Sequence, residues 1–231
     1  VNILAIDIST DLCSVAYAPS SGTSVPGDIL QRAETGQRPS RHVLQLADEL
    51  LAEAGATLSS VDALAFGRGP GMFTGLRIAA GVVQGWALGL DRPVLGISSL
   101  QALAQRAHEQ HGAAHVAAML DARMNEVYVG HFKVNDAGLV QAQGEEQLCP
   151  PDTYQLPDAQ VRPDFLAGPG WSAYPQLEQF VAMLPFDDTL RPEAAMVARL
   201  ALPRFIAGEG GAPETAIPVY LRDTVAWQKS S

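Results

Sequence analysis

The run Gly67-Arg68-Gly69-Pro70-Gly71-Met72-Phe73-Thr74-Gly75-Leu76-Arg77 constrains this chain more than any other stretch. Four glycines and a proline fall within nine residues, after the apolar residues 63–66 and before a helical pattern. Glycine admits sharp turns and close backbone approach, and proline fixes φ and ends a strand. A strand, a Gly-rich turn and a helix, in that order, leave unpaired N–H groups at the helix start, where anions and carbonyl oxygens dock. Two roles suit such a turn: a phosphate cradle, or a bend that launches a closely packed helix. No G-x-x-x-x-G-K-[ST] pattern occurs, and the turn has no lysine, which favours the bend.

The flanking sequence supplies a repeated grammar. Residues 2–8, 12–18 and 28–33 read as three strands. Ser40 is placed to cap a helix in which Val43, Leu44, Ala47, Leu50, Leu51 and Ala54 recur at helical spacing until Gly55. Then come a strand at 63–66, a helix at 74–90, a strand at 94–97, and a helix capped by Ser98 or Ser99 that runs to about Gln110. Strand-like segments at 115–120, 127–134 and 139–148 begin the pattern again, and aligning Asp7 with Asp121 superposes strand, acidic turn and strand. The spacing predicts an α/β chain of two lobes, each β-β-β-α-β-α. Residues 1–100 form the first lobe and 101–231 the second, with the terminal segment packing back on the first. Residues 150–192 are proline-rich and irregular, and a last helix spans 193–207.

Composition narrows the function classes. The net charge is −10 and the chain has two lysines, Lys133 and Lys229, so strong nucleic-acid binding by the chain alone is not expected. No apolar run is long enough for a membrane span, and the first residues lack a basic leader, so the expected compartment is the cytoplasm. Cys13 and Cys149 stand far apart, outside any metal or disulfide spacing.

Gly81, Gly85 and Gly89 lie four residues apart on one face of the second helix. Each costs roughly 1 kcal/mol relative to alanine, which implies a backbone packed close to that face. The other faces carry Leu76, Ala79, Val83 and Trp86, so the helix reads as buried on more than one side, between its own sheet and the first helix, with a partner's helix as the sharper alternative.

Other chemistry is sparse. Asp7, Ser9 and Thr10 are the weak candidates for cofactor binding, through a metal–phosphate at the end of the first strand; an Asx or ST turn is the competing role. His108 and His111 are spaced i, i+3, not the i, i+4 of a zinc helix, and suit a helix C-terminus. Gly168-Pro169-Gly170-Trp171 reads either as an adenine-binding turn or as an ordinary turn.

Five segments taken together resemble one known family. They are Ile3-Leu4-Ala5-Ile6-Asp7, the Gly67–Arg77 run, Gly96-Ile97-Ser98-Ser99-Leu100, Asp121-Ala122-Arg123-Met124-Asn125-Glu126-Val127-Tyr128, and Pro218-Val219-Tyr220-Leu221-Arg222. In this order they are similar to the TsaB (YeaZ) family of bacterial tRNA threonylcarbamoyladenosine biosynthesis subunits. The resemblance implies a two-lobe actin/Hsp70-like ATPase fold of the ribonuclease H-like kind, degenerate in the second lobe. It also implies a non-catalytic scaffold that binds and activates TsaD, which modifies the anticodon-adjacent adenosine of tRNAs reading codons that begin with A. TsaE joins that complex, TsaC acts in the same pathway, and tRNA is met only through the complex. No catalytic residue, resident cofactor or metal is implied.

Members alone form homodimers through the helices that otherwise contact TsaD. The partner-binding residues expected here are Leu44, Leu51, Gly75, Ile78, Val82, Gly85 and Trp86. Two positions depart from the family pattern: Ile8 follows Asp7 where a threonine is usual, and Met72 stands where serine is usual. Each removes a hydroxyl from a turn. An ATP-dependent phosphotransferase or ATPase of the same fold is the competing function; a peptidase lacks a metal set or nucleophile–base pair.

Overall fold

A computed structural model describes residues 1–19, 29–35, 42–158 and 161–222. Ser40, the expected cap, and Asp28 lie outside the described residues, as does the tail beyond Arg222. The first sheet is built from β1 (Asn2–Asp7), β2 (Leu12–Pro19), β3 (Leu30–Thr35), β4 (Ala63–Gly69) and β5 (Val94–Ser98), in the order β3-β2-β1-β4-β5. β1 is central and buried on both faces, which is why it reads as an unbroken apolar run. Leu4 and Ile6 face α1 (Val43–Glu53) and α2 (Phe73–Leu90); Ile3 and Ala5 face the opposite core.

The second sheet comprises β6 (His115–Arg123), β7 (Glu126–Val134), β8 (Val140–Ala142), β9 (Gln147–Cys149), β10 (Phe165–Ala167) and β11 (Phe186–Asp187). Its order is β8-β7-β6-β10-β11, with β9 also paired to β7. That order and its strand directions repeat the first sheet: β6 runs antiparallel to β7 and parallel to β10, as β1 does to β2 and β4. The single strand expected at 139–148 is two strands, because the chain turns at Gly144 with φ +117°. β10 and β11 lie in the proline-rich stretch read as irregular; strands of three and two residues are too short to show a period. Between them stand two short 3-10 turns, Pro169–Ser172 and Pro175–Leu177, and a four-residue helix, α4 (Glu178–Val181).

Two helices cross between the sheets. α3 (Ser99–His111) follows the first sheet and packs mainly on β6, β7 and β8. α5 (Ala194–Ile206) follows the second and packs on β1, β2 and β4. The two helices meet in one core, where Leu100 and Leu103 join Val197 and Leu202. Ser98 caps α3, its hydroxyl accepting from Gln101 N at 3.2 Å, and also bonds Glu146 from the second lobe.

The expectation of a backbone packed close to the glycine stripe of α2 is not met among the described residues. The buried residues of α2 are Gly75, Leu76, Ala79, Ala80, Val83 and Ala87, and the helix packs on β4 and β1 and against the turn at Pro213–Thr215. A β-carbon added at Gly81, Gly85 or Gly89 would meet nothing within 4 Å. The glycines that do meet close neighbours are in the turn: a β-carbon at Gly75 would overlap the Ile8 carbonyl. Gly75→Ala should therefore destabilise the chain by about 2–3 kcal/mol. Gly81→Ala, in open helical space, should stabilise it by about 0.5–1 kcal/mol. Urea midpoints of the two variants check this, and equal shifts would contradict it.

Candidate functional site: the inter-lobe cleft and the open face of two helices

The Gly-rich turn is closed by the chain's own acidic turn. Asp7 Oδ1 accepts from Ser9 N at 3.0 Å and from Ser9 Oγ at 2.7 Å, an Asx turn at the end of β1. Ser9 O in turn accepts from Met72 N at 2.8 Å. A β-carbon at Gly67 would overlap the Asp7 carboxylate, and one at Gly71 would overlap Ser9 O. The glycines thus admit this chain's residues 7–9. Thr10 Oγ1 accepts from Leu12 N at 3.3 Å. The three weak cofactor candidates, Asp7, Ser9 and Thr10, are brought together, each engaged in bonds of the turn itself.

Asp7 is fully buried, and its Oδ2 has no hydrogen-bond partner among the described residues. Burial pushes its carboxyl up to about 6, partly offset by the two bonds from Ser9. No group of histidine, cysteine and acidic side chains among the described residues is arranged to hold a metal ion. His108 Nδ1 lies 2.9 Å from Ala113 O, and His111 Nε2 lies 2.9 Å from Asp187 while its ring stacks on Phe165, so both finish α3 structurally. Trp171 is buried and donates to Ala117 O at 3.0 Å, and a β-carbon at Gly170 would overlap the Met119–Leu120 backbone. The segment 168–171 is therefore filled by β6.

Outside these closed turns lies a cleft of about 1060 Å³ between the lobes. Ser9 and Thr10 line one wall, Leu120 to Arg123 and Tyr128 the other, and Met72, Phe73, Arg77, Tyr220 and Arg222 its mouth. Residues 216–222 bring the last two there. They run along α2, where Gln84 Nε2 donates to Ala216 O at 3.0 Å and Val219 N donates to Arg68 O at 2.7 Å. Arg222 is held by Glu126 and by the carbonyl of Ala122. Sequence reasoning missed Phe73, Arg77 and Tyr220 as a group, because Arg77 and Tyr220 are far apart in the chain and neither belongs to a local motif.

The seven residues expected at a partner surface divide. Leu44 is 52 % exposed, Gly85 is exposed, and Ile78, Val82 and Trp86 are half-buried at the edge of the core. Leu51 and Gly75 are corrected: both are buried within the chain's own packing, Leu51 in the α1–sheet core and Gly75 against Ile8. Leu88, 78 % exposed, was not among them.

Known proteins share this arrangement. The family model described as "TsaD: tRNA N6-adenosine threonylcarbamoyltransferase" matches residues 33–174. The chain is 36 % identical to the tRNA threonylcarbamoyladenosine biosynthesis protein TsaB of Escherichia coli (strain K12), over 99 % of this chain and 98 % of that one. The chain belongs to the TsaB family. The Haemophilus influenzae TsaB is 39 % identical, over 99 % of this chain and 97 % of that one. The solved structure of YeaZ from Pseudomonas aeruginosa superposes with a TM-score of 0.83 at 43 % identity, over 95 % of this chain and 99 % of that one. These likenesses and the repeated sheet topology give the fold: a two-lobe actin-like, ribonuclease H-like ATPase fold. Among the described residues no helix is long and apolar enough to cross a membrane.

The raised Asp7 carboxyl makes a pH prediction. The unfolded chain ionises near the ordinary value of 3.8 and the folded chain only near 6. Between these values the unfolded state loses its proton first, so stability is full below the first and falls as pH rises through the second, by roughly 3 kcal/mol. Asp7→Asn should stabilise the chain by about 1–3 kcal/mol near pH 7.5 and lose that advantage near pH 4. Urea midpoints at both pH values test it; the same advantage at both would overturn it.

Proposed function

We propose that this chain is a non-catalytic scaffold subunit that binds and activates a TsaD-type transferase for threonylcarbamoyl transfer to the anticodon-adjacent adenosine of tRNA. The observation that carries the reading is the open face of α1 and α2. Gly81, Gly85 and Gly89 form a groove without side chains, where an added β-carbon would meet none of the described residues within 4 Å, and exposed Leu44 and Leu88 add apolar surface on the same two helices. Three helix glycines that meet none of the described residues closely suit the close approach of another helix. The match of residues 33–174 to the transferase's family model supports a related chain as that partner. A face that pairs with its own copy about a twofold axis can pair with a related chain in the same way. The isolated chain would then be a homodimer through the face that TsaD covers in the complex.

In this reading the interface comprises Leu44, Ile78, Val82, Gly85 and Trp86, without the inward Leu51 and Gly75. TsaE joins the assembly, TsaC supplies the donor in the same pathway, and the work is cytoplasmic. The burial of Asp7 behind Gly67 weighs against the competing ATPase or phosphotransferase, which would need that carboxylate open to a metal–phosphate.

Reconstitution tests the proposal. TsaC, TsaD and TsaE should modify tRNA only when this chain is present; full activity without it would defeat the reading. Gly85→Trp and Val82→Lys should each weaken TsaD pairing more than tenfold in size-exclusion and titration experiments. Gly85→Trp should leave the urea midpoint near wild type, since its side chain enters open space. Wild-type pairing by both variants would remove the interface assignment.

A further inference from the structure

The mouth of the inter-lobe cleft carries a second, chemically different surface. Phe73 and Tyr220 pack with ring centroids 5.1 Å apart and are 45 % and 40 % exposed. The Arg77 guanidinium lies 3.8 Å from the Phe73 ring centroid, and its Nε donates to Tyr220 Oη at 3.1 Å. Among the described residues Arg77 has no carboxylate partner. The other cleft arginines are all paired: Arg191 to Asp11 at 2.9 Å, Arg123 to Asp121 at 2.9 Å, and Arg222 to Glu126. The chain carries a net charge of −10, yet this cleft is lined by four arginines against Asp11 and Asp121. Three of these arginines are neutralised by carboxylates, and the fourth, Arg77, is held on an aromatic face with no carboxylate partner among the described residues.

We infer that this mouth is a contact site for a single-stranded RNA loop, with a phosphate on Arg77 and an unstacked base on the Phe73–Tyr220 shelf. The inference rests on the scaffold reading, since it sets the RNA of that assembly against this chain. Three features choose the occupant. An arginine stacked on an aromatic ring presents a planar fork to phosphate, and exposed rings accept splayed bases without regard to sequence. With the other three arginines neutralised by carboxylates, the cation left without a carboxylate partner among the described residues is Arg77, which suits one phosphate rather than a broad polyanion contact. Asp7 and Trp171 are buried away from the cleft lining, whereas Phe73, Arg77 and Tyr220 line it with both rings exposed, so these three are the groups a ligand meets. The net negative charge makes the contact weak in isolation, and a single phosphate contact gives it a shallow salt dependence.

The test uses the full chain and a fluorescein-labelled anticodon stem-loop RNA, followed by anisotropy at low salt. Binding should weaken about tenfold in Arg77→Ala, with the slope of log affinity against log salt reduced by about 0.7, one phosphate contact on a single strand. Tyr220→Ala should weaken it by roughly 5-fold or more through lost stacking. Arg77→Lys should keep the salt slope and lose affinity. ATP and polyglutamate, added as competitors at the same concentration, should displace the RNA poorly. Absence of RNA binding, or wild-type binding by both alanine variants, overturns the inference. Displacement by ATP at that concentration overturns it in favour of a small nucleotide site, and displacement by polyglutamate in favour of an acidic protein. TsaD pairing is measured on the same variants. Intact pairing with weakened RNA binding supports the site, and lost pairing in Arg77→Ala assigns Arg77 to the protein interface instead. Failure of the scaffold reading itself would show separately, as wild-type chain that does not pair.

Discussion

The packing of the Gly-rich turn around residues 7–9 holds the first lobe in register. Gly67 admits the Asp7 carboxylate, Gly71 admits Ser9, Gly75 admits Ile8, and Met72 N donates to Ser9 O at 2.8 Å. These contacts join the end of β1 to the start of α2 without an intervening side chain. They set the angle at which α2 leaves the sheet, and so which of its faces is buried. The cost is visible at Asp7, whose second carboxylate oxygen is buried without a partner and whose proton is held to about pH 6. A turn of this composition elsewhere in protein structure holds phosphate; here its close approaches are already made by the chain.

From that geometry two surfaces follow. The outer side of α2, with α1, is a bare helix face bearing a glycine groove. The start of α2, with the strap at residues 216–222, forms the aromatic and arginine-bearing mouth of the cleft. One helix therefore carries two regions of different chemistry: an open glycine face along its length, and charge with ring stacking at its N-terminal end. The exchange of α3 and α5 between the sheets ties the lobes through a shared core, while α1 and α2 pack in a second core on the other face of the first sheet.

Much of this was legible along the chain. β1, β2 and β4 to β7 carry apolar runs bounded by turn residues, and α2, α3 and α5 carry helical period with recognisable ends, so local rules suffice for them. The equivalence of Asp7 and Asp121 correctly paired the two sheets. β10 and β11 were not legible, because two or three residues held by neighbours have no period of their own. The glycine stripe was legible as spacing but not as environment. The cleft triad of Phe73, Arg77 and Tyr220 was invisible, since Tyr220 arrives through a strap whose path is fixed by bonds to Arg68 and Gln84.

The sequence by itself determined the long strands and helices and their order, the duplication, the place of the sharp turn and the family, because these depend on local backbone preference and on pattern. The tertiary structure alone decided what each glycine faces and what each charge meets. Gly75 and Gly85 are alike in the sequence, both helical and ten residues apart, yet one touches the Ile8 carbonyl and the other faces open space. The physical reason is that burial is a property of the assembled neighbours: helix rotation against the sheet, set by the contacts of residues 7–9, turns one glycine inward and leaves the other on the open face.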